Sequence, residues 1–279
     1  MKKKLSFYMK KYSQVLKSSG INTPRMDVEV LLSYILNYPR IKLYTEHDMS
    51  LKKEEYKKLK EMVSRRKKAE PIAYITGKKE FYSLSFKVTE NVLIPRPETE
   101  ILVEAILDQK FKEKTVLDIG TGSGNIAISL KKHNPTLRIT ATDISKEALT
   151  VARENASTIL GEHDIQFLHS DLFENIHQKY DIIVSNPPYI PTWELNTLMP
   201  DVKEYEPVRA LDGGRDGYLF YEKIINQSTQ YLNQKGNLFM EMNPVLCPDI
   251  TGLLERSGFK KIKIIRDYEK RKRVVSARF

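Results

Sequence analysis

The chain has 279 residues, which is long enough for two domains of unequal size, and a formal net charge of +10. Residues 1–70 carry 18 Lys and Arg against 8 Asp and Glu, whereas residues 71–279 carry 28 of each. This asymmetry is typical of a region that meets an acidic protein or nucleic acid surface, and a solvated lysine-rich helix face explains it equally well.

Several protein classes are excluded by what the sequence lacks. Cys247 is the single cysteine, which excludes a disulfide framework, a thiolate zinc cluster and a redox pair. The histidines, at positions 47, 133, 163, 169 and 177, have no metal-ligand spacing, so we expect no bound metal. No apolar run is long enough to span a bilayer, and no apolar stretch follows the basic N-terminus. We therefore expect a cytoplasmic protein that does not bind a membrane.

The first predicted domain, residues 1–72, is a helical bundle. Apolar residues recur at helical spacing in three segments, which are residues 5–16, 26–36 and 51–63. Thr23 and Pro24 predict an N-cap followed by proline at the first helical position. The third segment continues into a basic run, Arg65, Arg66, Lys67 and Lys68.

A β-hairpin linker is predicted at residues 73–92, because apolar and polar side chains alternate between residues 81 and 88. Residues 93–279 then form the second domain. Within it, an apolar strand at residues 116–119 leads into a glycine-rich turn and a helix. Glycines allow positive φ and a close approach of backbone to ligand, so we expect this turn to lie against a cofactor.

The spacing of the glycine turn narrows the choice of cofactor. A dinucleotide fingerprint G-x-G-x-x-G needs glycine at position 125, where the chain has asparagine. The turn instead resembles the S-adenosylmethionine turn of Rossmann-like methyltransferases, although a structural turn or a nucleotide loop has the same pattern. The candidate cofactor-binding residues of the turn are Gly120, Thr121, Gly122, Ser123 and Gly124.

Two further strands end in acidic residues. Asp143 ends the strand that begins at Leu137, and it can accept both ribose hydroxyls of an adenosyl group or cap the helix that starts near Ser145. Asp171 and Leu172 follow a strand at residues 165–169. They can meet the adenine amino group and the adenine face, or they can be a loop acid beside a core residue.

The most informative segment is the apolar strand that ends in Asn-Pro-Pro-Tyr. Two successive prolines cannot continue a central strand, so the chain leaves the sheet at its carboxyl edge, where open α/β sheets bind ligands. An asparagine oxygen and a proline carbonyl can each accept one N–H from a planar NH2 group, and the tyrosine ring can stack on its plane. The predicted catalytic residues are Asn186, Pro187, Pro188 and Tyr189, and Asn186 also lines the cofactor site.

These motifs, taken together, resemble the PrmC/HemK family of peptide chain release factor glutamine methyltransferases. Besides the glycine turn and the Asn-Pro-Pro-Tyr loop, the matching segments are Glu-Pro-Ile-Ala-Tyr-Ile-Thr-Gly at residues 70–77, Phe-Tyr at 81–82, Ile-Pro-Arg-Pro-Glu-Thr-Glu at 94–100 and Glu-Pro through Ala-Leu-Asp-Gly-Gly to Asp-Gly at 206–217. The resemblance spans nearly the whole chain. Asn-Pro-Pro-Tyr is shared with adenine-N6 methyltransferases, whereas the segments at 94–100 and 210–214 are more specific.

The resemblance implies a fold and a reaction. The fold is α/β: a Rossmann-like, S-adenosylmethionine-dependent methyltransferase domain with a mostly parallel seven-stranded sheet, an N-terminal helical bundle and a β-hairpin linker. The reaction is transfer of a methyl group to the N5 amide of the glutamine in the Gly-Gly-Gln motif of class 1 release factors. We expect the helical bundle to bind the release factor, no stable nucleic acid partner, and a monomer.

The chain departs from the family pattern in two places. The stretch Glu-Met-Asn-Pro at residues 241–244 lacks the glycine that usually follows the strand glutamate, and the tail at residues 269–273 is more basic than the usual Gly-x-x-Arg ending. Arg96, Glu98 and Glu206 have two interpretations that the sequence leaves open. They close the site or position the release factor, or they form a helix cap and a surface salt bridge.

Three other functions remain possible from the sequence alone. An adenine-N6 nucleic acid methyltransferase uses the same loop but needs stacking aromatics or a larger target-recognition domain. A nicotinamide oxidoreductase is disfavoured by the asparagine at position 125 and by the proline pair. A catalytically silent RNA-binding module explains the charge but neither loop.

Overall fold

The chain divides into two units, and the first unit is helical. The computed structural model describes residues 3–161 and 165–279. The first unit contains the chain up to Gly77 and the segment Met199–Tyr205. With elements numbered in chain order, its helices are α1 (Leu5–Ser18), α2 (Pro24–Leu36), α3 (Lys42–Thr45), α4 (Lys53–Arg66), α5 (Ile72–Thr76) and α9 (Pro200–Lys203).

The core of the first unit comes from the apolar stripes of its helices. The three segments predicted to be helical coincide with α1, α2 and α4, which confirms the predicted helical bundle. The sequence did not predict α3 or α5, and helix continues to Thr76, beyond the expected boundary at residue 72. The fully buried leucines of this core are Leu5, Leu16, Leu31, Leu32, Leu43 and Leu59.

The start of α2 differs from its predicted capping. Pro24 takes the first helical position as expected, and Thr23 is the N-cap residue. However, the Thr23 hydroxyl donates to Asp27 Oδ1 at 2.7 Å instead of accepting a backbone N–H. The reason is that the Asp27 carboxylate is buried, at 5% exposure, and therefore needs donors on both oxygens.

Arg66 supplies the second donor and is therefore not a surface charge. Its Nε donates to Asp27 Oδ2 at 2.7 Å, and its Nη1 donates to the carbonyls of Ala69 and Glu70 at 3.1 and 3.0 Å. Arg65 pairs with the Glu70 carboxylate, with Nε 2.8 Å from Oε2. Of the basic run at residues 65–68, Lys67 and Lys68 are exposed and Arg66 is buried, so the four residues do not form one charged surface.

The hairpin consists of β1 (Lys78–Phe81) and β2 (Leu84–Lys87), joined at Tyr82 and Ser83, whose φ angles are 48° and 59°. This is the region that two-residue hairpin turns require. The turn reverses the alternation expected for residues 81–88, so Phe81 and Phe86 enter the same core cluster. The hairpin groups with the second unit, which contains Lys78–Leu198 and Glu206–Phe279. The division of the chain into three domains at residues 72 and 92 stays a prediction.

The second unit is built on a seven-stranded sheet with the order β5-β4-β3-β6-β7-β9-β8. Neighbouring strands are parallel except where β9 pairs antiparallel with β7 and β8, which confirms the predicted mostly parallel sheet. The strands are β3 (Thr115–Ile119), β4 (Arg138–Asp143), β5 (Ile165–His169), β6 (Tyr180–Ser185), β7 (Leu232–Glu241), β8 (Lys260–Arg266) and β9 (Lys272–Arg278).

Helices cover both faces of this sheet. They are α6 (Glu100–Leu107), α7 (Asn125–His133), α8 (Lys146–Leu160), α10 (Leu219–Tyr231) and α11 (Cys247–Arg256). Residues of α6, α7 and α8 share one buried cluster with Val116, and residues of α10 and α11 share the other with Leu117. Successive residues of β3 therefore face opposite layers, as expected of a parallel strand that is buried on both sides.

The strand order reverses between β3 and β6. From β3 the chain adds β4 and β5 on one side, and it then returns to place β6 on the other side of β3. Ile119 pairs with Ser185, so Gly120 and Asn186 leave the sheet at adjoining positions. Adjacent strands lie about 4.8 Å apart. The glycine turn and the Asn-Pro-Pro-Tyr loop thus flank the switch point, where sheets of this type bind their ligands.

We predict that Arg66→Met lowers the free energy of unfolding by about 3 kcal/mol, because it leaves the Asp27 carboxylate buried without its ion-pair partner. Urea denaturation followed by far-ultraviolet circular dichroism measures this change. Lys67→Met, at the next and exposed position, is the matched control and should change stability by less than about 0.5 kcal/mol. Equal stability of the two variants would contradict a structural role for Arg66.

Candidate active site

The glycine turn has both the conformation and the free space that a ligand site needs. Gly120, Gly122 and Gly124 have φ angles of 71°, 54° and 81°, which favour glycine. A Cβ built on Gly120 or Gly122 meets no atom within 4 Å, so open space adjoins their backbone. On Gly124 it would lie 2.7 Å from Ile128 Cδ1 and 3.2 Å from Ala152 Cβ. Gly124 therefore allows close packing of α7 on α8.

The two polar residues of the turn point into the protein. Thr121 and Ser123 are 2% and 1% exposed. The Thr121 hydroxyl donates to Asp118 Oδ2 at 2.7 Å, and the Ser123 carbonyl accepts from Asn155 Nδ2 at 2.9 Å. Asn155 also exchanges hydrogen bonds with the backbone of Lys87 in the hairpin. Thr121 and Ser123 can thus contact a cofactor through their backbone, and their side chains stabilise the turn.

Asp118 is a buried acid at the end of β3, and the sequence interpretation missed it. Among the described residues its Oδ1 has no hydrogen-bond partner. Burial raises the pKa of this carboxyl to about 7, although the bond from Thr121 opposes the shift. A cationic ligand group beside the turn would pair with this oxygen and favour the ionised form. S-adenosylmethionine has an ammonium and a sulfonium, so the residues present fit it. An acid two residues before the first glycine of the turn was the signal available in the sequence.

Asp143 connects the glycine turn to the start of α8. Its Oδ2 accepts from the Gly122 N–H at 2.8 Å, and its Oδ1 accepts from the Ser145 N–H at 2.9 Å. The helix is capped by Ser145 itself, whose hydroxyl oxygen accepts from Ala148 N at 3.1 Å. Each carboxylate oxygen of Asp143 retains a second lone pair, which leaves room for a ribose hydroxyl. Burial raises the pKa of Asp143 above its usual range.

Asp171 and Leu172 lie next to Asp143 at the same edge of the sheet. The pairing of His169 with Asp143, and the bond from Ser170 N to the Asp143 carbonyl at 3.0 Å, bring the loop after β5 to this position. The Asp171 side chain is exposed, whereas Leu172 is half-buried against the core. Leu172 has a φ of 48°, a conformation that costs a residue with a Cβ about 1 kcal/mol or more. Their adenine-binding roles stay predictions.

The Asn-Pro-Pro-Tyr loop begins where β6 ends at Ser185. Asn186 and Tyr189 are half-buried and Pro187 is buried. The Asn186 amide nitrogen donates to Thr99 Oγ1 at 3.1 Å, and Thr99 Oγ1 donates to Glu241 Oε2 at 2.6 Å. The Asn186 Oδ1 has no hydrogen bond to the part of the chain that the structure describes. The asparagine oxygen therefore remains available to accept an N–H from a substrate.

Glu241 is a further site residue that was not predicted. It ends β7, is 1% exposed, and neighbours Asn186 because Met240 pairs with Ser185. Burial raises its pKa to about 7, and the hydrogen bond from Thr99 opposes the shift. The Tyr189 hydroxyl lies 3.5 Å from Glu241 Oε1, and burial also raises the pKa of this tyrosine. An acid at the end of an apolar strand, as with Asp143, was the available signal.

The glycine-containing segment after residue 210 holds the Asn-Pro-Pro-Tyr loop through its backbone. Ile190 N donates to the Leu211 carbonyl at 3.0 Å, and Gly213 N donates to the Ile190 carbonyl at 2.8 Å. A Cβ on Gly213 would lie 2.7 Å from the Tyr189 Cα, and one on Gly217 would overlap the Tyr189 carbonyl oxygen. The backbone of the Asn-Pro-Pro-Tyr loop can therefore pack directly against the backbone of the segment after residue 210 only because these two residues are glycines.

Arg96, Glu98 and Glu206 have distinct positions. The Arg96 Nη2 donates to Glu206 Oε1 at 2.6 Å, and Ile94 N donates to Glu206 Oε2 at 3.2 Å. Glu206 is 5% exposed, so this ion pair is largely shielded and is more than a surface salt bridge. Glu98 lies in the short 3-10 turn Pro97–Thr99, with Oε1 4.0 Å from Arg273 Nη2. A role in closing the site stays a prediction.

The two departures from the family pattern are accommodated locally. Asn243 has a φ of −67°, which needs no glycine, and its Oδ1 accepts from Val245 N at 3.0 Å. Lys270 does adopt a left-handed conformation, with a φ of 64°. Asp267 holds this turn by accepting from Arg271 N at 2.8 Å, and the same contacts lower its pKa to about 2.

The residues that the structure describes contain no cluster of three His, Cys, Asp or Glu side chains able to hold a metal ion. His163 of the predicted non-ligand histidines lies outside the described residues. Within the described ranges, no helix is both long and apolar enough to cross a membrane.

Two known protein families match this chain, one in each of its two units. Residues 8–77 match the PrmC N-terminal domain, and residues 97–198 match the methyltransferase small domain. A release factor glutamine methyltransferase of Leptospira interrogans is 44% identical over 96% of this chain and 95% of its own length. One from Rhodopirellula baltica is 40% identical over 93% of this chain and 91% of its own length.

Solved structures share the fold at lower identity. The 16S rRNA N2 G1207 methyltransferase of T. thermophilus, solved with AdoMet and guanosine, has a TM-score of 0.54 and 19% identity over 72% of this chain and 49% of its own. The E. cuniculi Mtq2-Trm112 complex, described as responsible for methylation of the eRF1 translation termination factor, has a TM-score of 0.50 and 22% identity over 67% of this chain and 98% of its own.

We predict that Gly217→Ala displaces the Asn-Pro-Pro-Tyr loop, because a Cβ there overlaps the Tyr189 carbonyl and the φ is 79°. The expected loss of stability is about 1–3 kcal/mol. Trp193 is the single tryptophan and follows this loop, so its fluorescence emission should change as well. Gly252→Ala in α11 is the control and should leave the emission unchanged. Wild-type emission and stability in Gly217→Ala would contradict the tight packing.

Proposed function

The chain belongs to the family of release factor glutamine methyltransferases, and from this premise we propose that it transfers a methyl group from S-adenosylmethionine to the N5 amide of a glutamine. The proposed substrate is the glutamine in the Gly-Gly-Gln motif of class 1 peptide chain release factors. The observation that carries the proposal is the position of Asn186, which leaves the sheet next to the glycine turn across the β3–β6 pair. Its NH2 group is bonded to Thr99, and its Oδ1 has no hydrogen bond within the described chain.

The two acceptors suit a carboxamide substrate. A planar NH2 group has two N–H donors, and the Asn186 Oδ1 and the Pro187 carbonyl oxygen can each accept one. The ring of Tyr189 can then cover the plane of the amide. A hydroxyl or thiol substrate has one hydrogen and would leave one of these acceptors unpaired.

The proposed mechanism depends on alignment and fixed dipoles. A carboxamide nitrogen is a poor nucleophile because its lone pair is delocalised into the carbonyl. Two oxygens that accept hydrogen bonds from its N–H groups stabilise the positive charge that develops on nitrogen during the transfer. Pro187 and Pro188 fix φ at both positions, so these dipoles cannot relax away. S-adenosylmethionine supplies a methyl group that is already activated on a cationic sulfur. The nitrogen proton becomes acidic as the new bond forms, so no strong base is needed.

Several residues would hold the cofactor. The backbone of Gly120 and Gly122 adjoins open space, and Asp118, whose Oδ1 has no hydrogen-bond partner among the described residues, fits a cationic group. Asp143 would accept the ribose hydroxyls while it anchors Gly122, and Asp171 with Leu172 would meet the adenine. We also propose that the protein acts in the cytoplasm as a monomer, that the NPPY motif is its catalytic loop, and that its N-terminal helices bind the release factor.

The decisive experiment locates the methyl group. The protein is incubated with methyl-labelled S-adenosylmethionine and either a class 1 release factor or total RNA, and the labelled product is digested and sequenced by mass spectrometry. We expect label on the glutamine of Gly-Gly-Gln. Label on adenine, with none on protein, would replace the proposal by nucleic acid methylation.

We predict that Asn186→Ala lowers turnover by roughly 10²-fold or more, by analogy with the loss of one preorganised hydrogen-bonding group. Affinity for S-adenosylmethionine should change little, because the other proposed cofactor contacts, at the glycine turn and Asp143, remain in place. The measurements are methyl transfer to the release factor and calorimetric binding of the cofactor. Asn226→Ala, at an exposed position of α10, is the control. Near-normal turnover in Asn186→Ala would remove the proposed mechanism.

We predict that the double variant Lys67→Glu, Lys68→Glu slows association with the release factor at low salt and leaves cofactor binding unchanged, because long-range attraction mainly affects the association rate. Arg66 is left out because it is buried. Stopped-flow association at several salt concentrations measures the effect. Lys110→Glu, Lys112→Glu changes the net charge equally in the second unit. If both double variants associate alike, the exposed lysines of the first unit do not guide binding.

A further inference from the structure

The orientation of the Asn186 amide is not determined by Asn186 alone. An asparagine side chain can present its oxygen or its NH2 group to the same space, and the two orientations have nearly the same shape. Only the first orientation can accept an N–H from a substrate amide. Some other part of the structure must therefore select it.

Two buried residues on other elements form a hydrogen-bonded chain with this amide, in which Thr99 contacts Asn186 and Glu241 contacts Thr99. Thr99, in the 3-10 turn Pro97–Thr99, is 1% exposed, and Glu241, at the end of β7, is also 1% exposed. The Asn186 Nδ2 lies 3.1 Å from Thr99 Oγ1, which lies 2.6 Å from Glu241 Oε2. The shorter distance is typical of a hydroxyl that donates to an ionised carboxylate.

We propose that Thr99 and Glu241 are positioning residues that hold the Asn186 amide with its oxygen towards the substrate. This inference rests on the proposed function and deepens it. An ionised carboxylate can only accept, so the single hydrogen of the Thr99 hydroxyl is directed to Glu241. Thr99 then has only lone pairs to offer Asn186. The Asn186 NH2 group must therefore face Thr99, and Oδ1 faces away.

Protonation of Glu241 reverses this order. A carboxylic acid can donate to the Thr99 oxygen, which frees the threonine hydrogen to donate to Asn186 Oδ1. The Asn186 amide then turns and presents its NH2 group to the NH2 group of the substrate. Neither NH2 group can accept a hydrogen bond from the other. The state with Glu241 protonated is therefore inactive, and no group other than the proton is consumed or released in the switch.

The groups around Glu241 place this protonation within an accessible pH range. Burial, together with a smaller effect of the Glu98 charge in the 3-10 turn, raises the pKa of Glu241 to about 7. Thr99, Arg273 on β9 and the Tyr189 hydroxyl oppose the shift. Tyr221 on α10 also faces this cluster, and burial raises its own pKa, so it remains neutral. Because the active state is the ionised one, turnover should fall as the pH decreases through about 7.

The first test compares threonine variants. Thr99→Val removes the hydroxyl at nearly constant volume and should lower kcat by about 10-fold to 100-fold with an unchanged KM for S-adenosylmethionine. Thr99→Ser keeps the hydroxyl and should restore kcat to within about threefold. Thr140→Val, a buried threonine of β4, is the control for the substitution itself. Wild-type kcat in Thr99→Val would overturn the inference.

The pH profile separates positioning from general structural damage. For the wild-type protein, kcat at saturating cofactor should fall about tenfold per pH unit below the transition. Thr99→Val and Glu241→Gln should both lose this acidic limb and give low, pH-independent values. An acidic limb that persists unchanged in both variants would assign the titration to another group and overturn the inference.

A measurement without substrate distinguishes this inference from the proposed function. In nitrogen-15 spectra, the side-chain amide of Asn186 should shift between pH 5.5 and 8.5 in the wild type and stay constant in Glu241→Gln. If no release factor is methylated but the amide titrates, the proposed function fails and the positioning contact stands. If release factor is methylated while the amide does not titrate, only the inference fails.

Discussion

The pairing of β3 with β6 is the constraint on which the site depends. It brings Ile119, the last residue of β3, next to Ser185, the last residue of β6. The segment that contains β4 and β5 separates these two residues in the sequence. The glycine turn and Asn186 would otherwise be unrelated loops. Since both loops start from buried, hydrogen-bonded strands, the sheet fixes the separation between the cofactor space and the proposed substrate acceptors.

The same edge of the sheet carries two costly groups. Asp118 and Glu241 are fully enclosed carboxyls whose burial raises the pKa of each to about 7. The pKa of each acid is higher in the folded chain than in the unfolded chain. Each acid therefore lowers the stability of the fold as the pH rises from the unfolded-state pKa towards 7. Neither has a full ion pair. Asp118 is on β3 and Glu241 on β7, the two strands that flank β6. Retention of buried acids at this edge of the sheet is expected where they orient ligands or catalytic side chains rather than stabilise the fold.

The sequence predicted what depends on local pattern. The three long helices of the first unit, the hairpin, the strands β3 to β6 and the loops at the glycine turn and Asn186 arise from periodicity, glycine and proline, and these were found. The short helices α3 and α5 were not. It also predicted that Asn186 would lie beside the glycine turn. The alternation did not show that Phe81 and Phe86 share one face of the hairpin, because the turn at Tyr82 and Ser83 reverses it.

Contacts between segments that are far apart in the sequence could not be predicted from the sequence. Thr99 and Glu241 are 142 residues apart, and Thr99 and Asn186 are 87 apart, so no local pattern joins them. The burial of Arg66 was missed for the same reason, since its partner Asp27 lies on another helix. In both cases tertiary packing, and not the local sequence pattern, decides the environment of a polar residue.

The most direct test is a structure of the protein with S-adenosylhomocysteine and a peptide that contains Gly-Gly-Gln. We expect the glutamine side-chain nitrogen within hydrogen-bond distance of both the Asn186 Oδ1 and the Pro187 carbonyl oxygen, with the Asn186 NH2 group still bonded to Thr99. A glutamine amide bound away from these two oxygens, or one that faces the asparagine NH2 group, would contradict the proposed site.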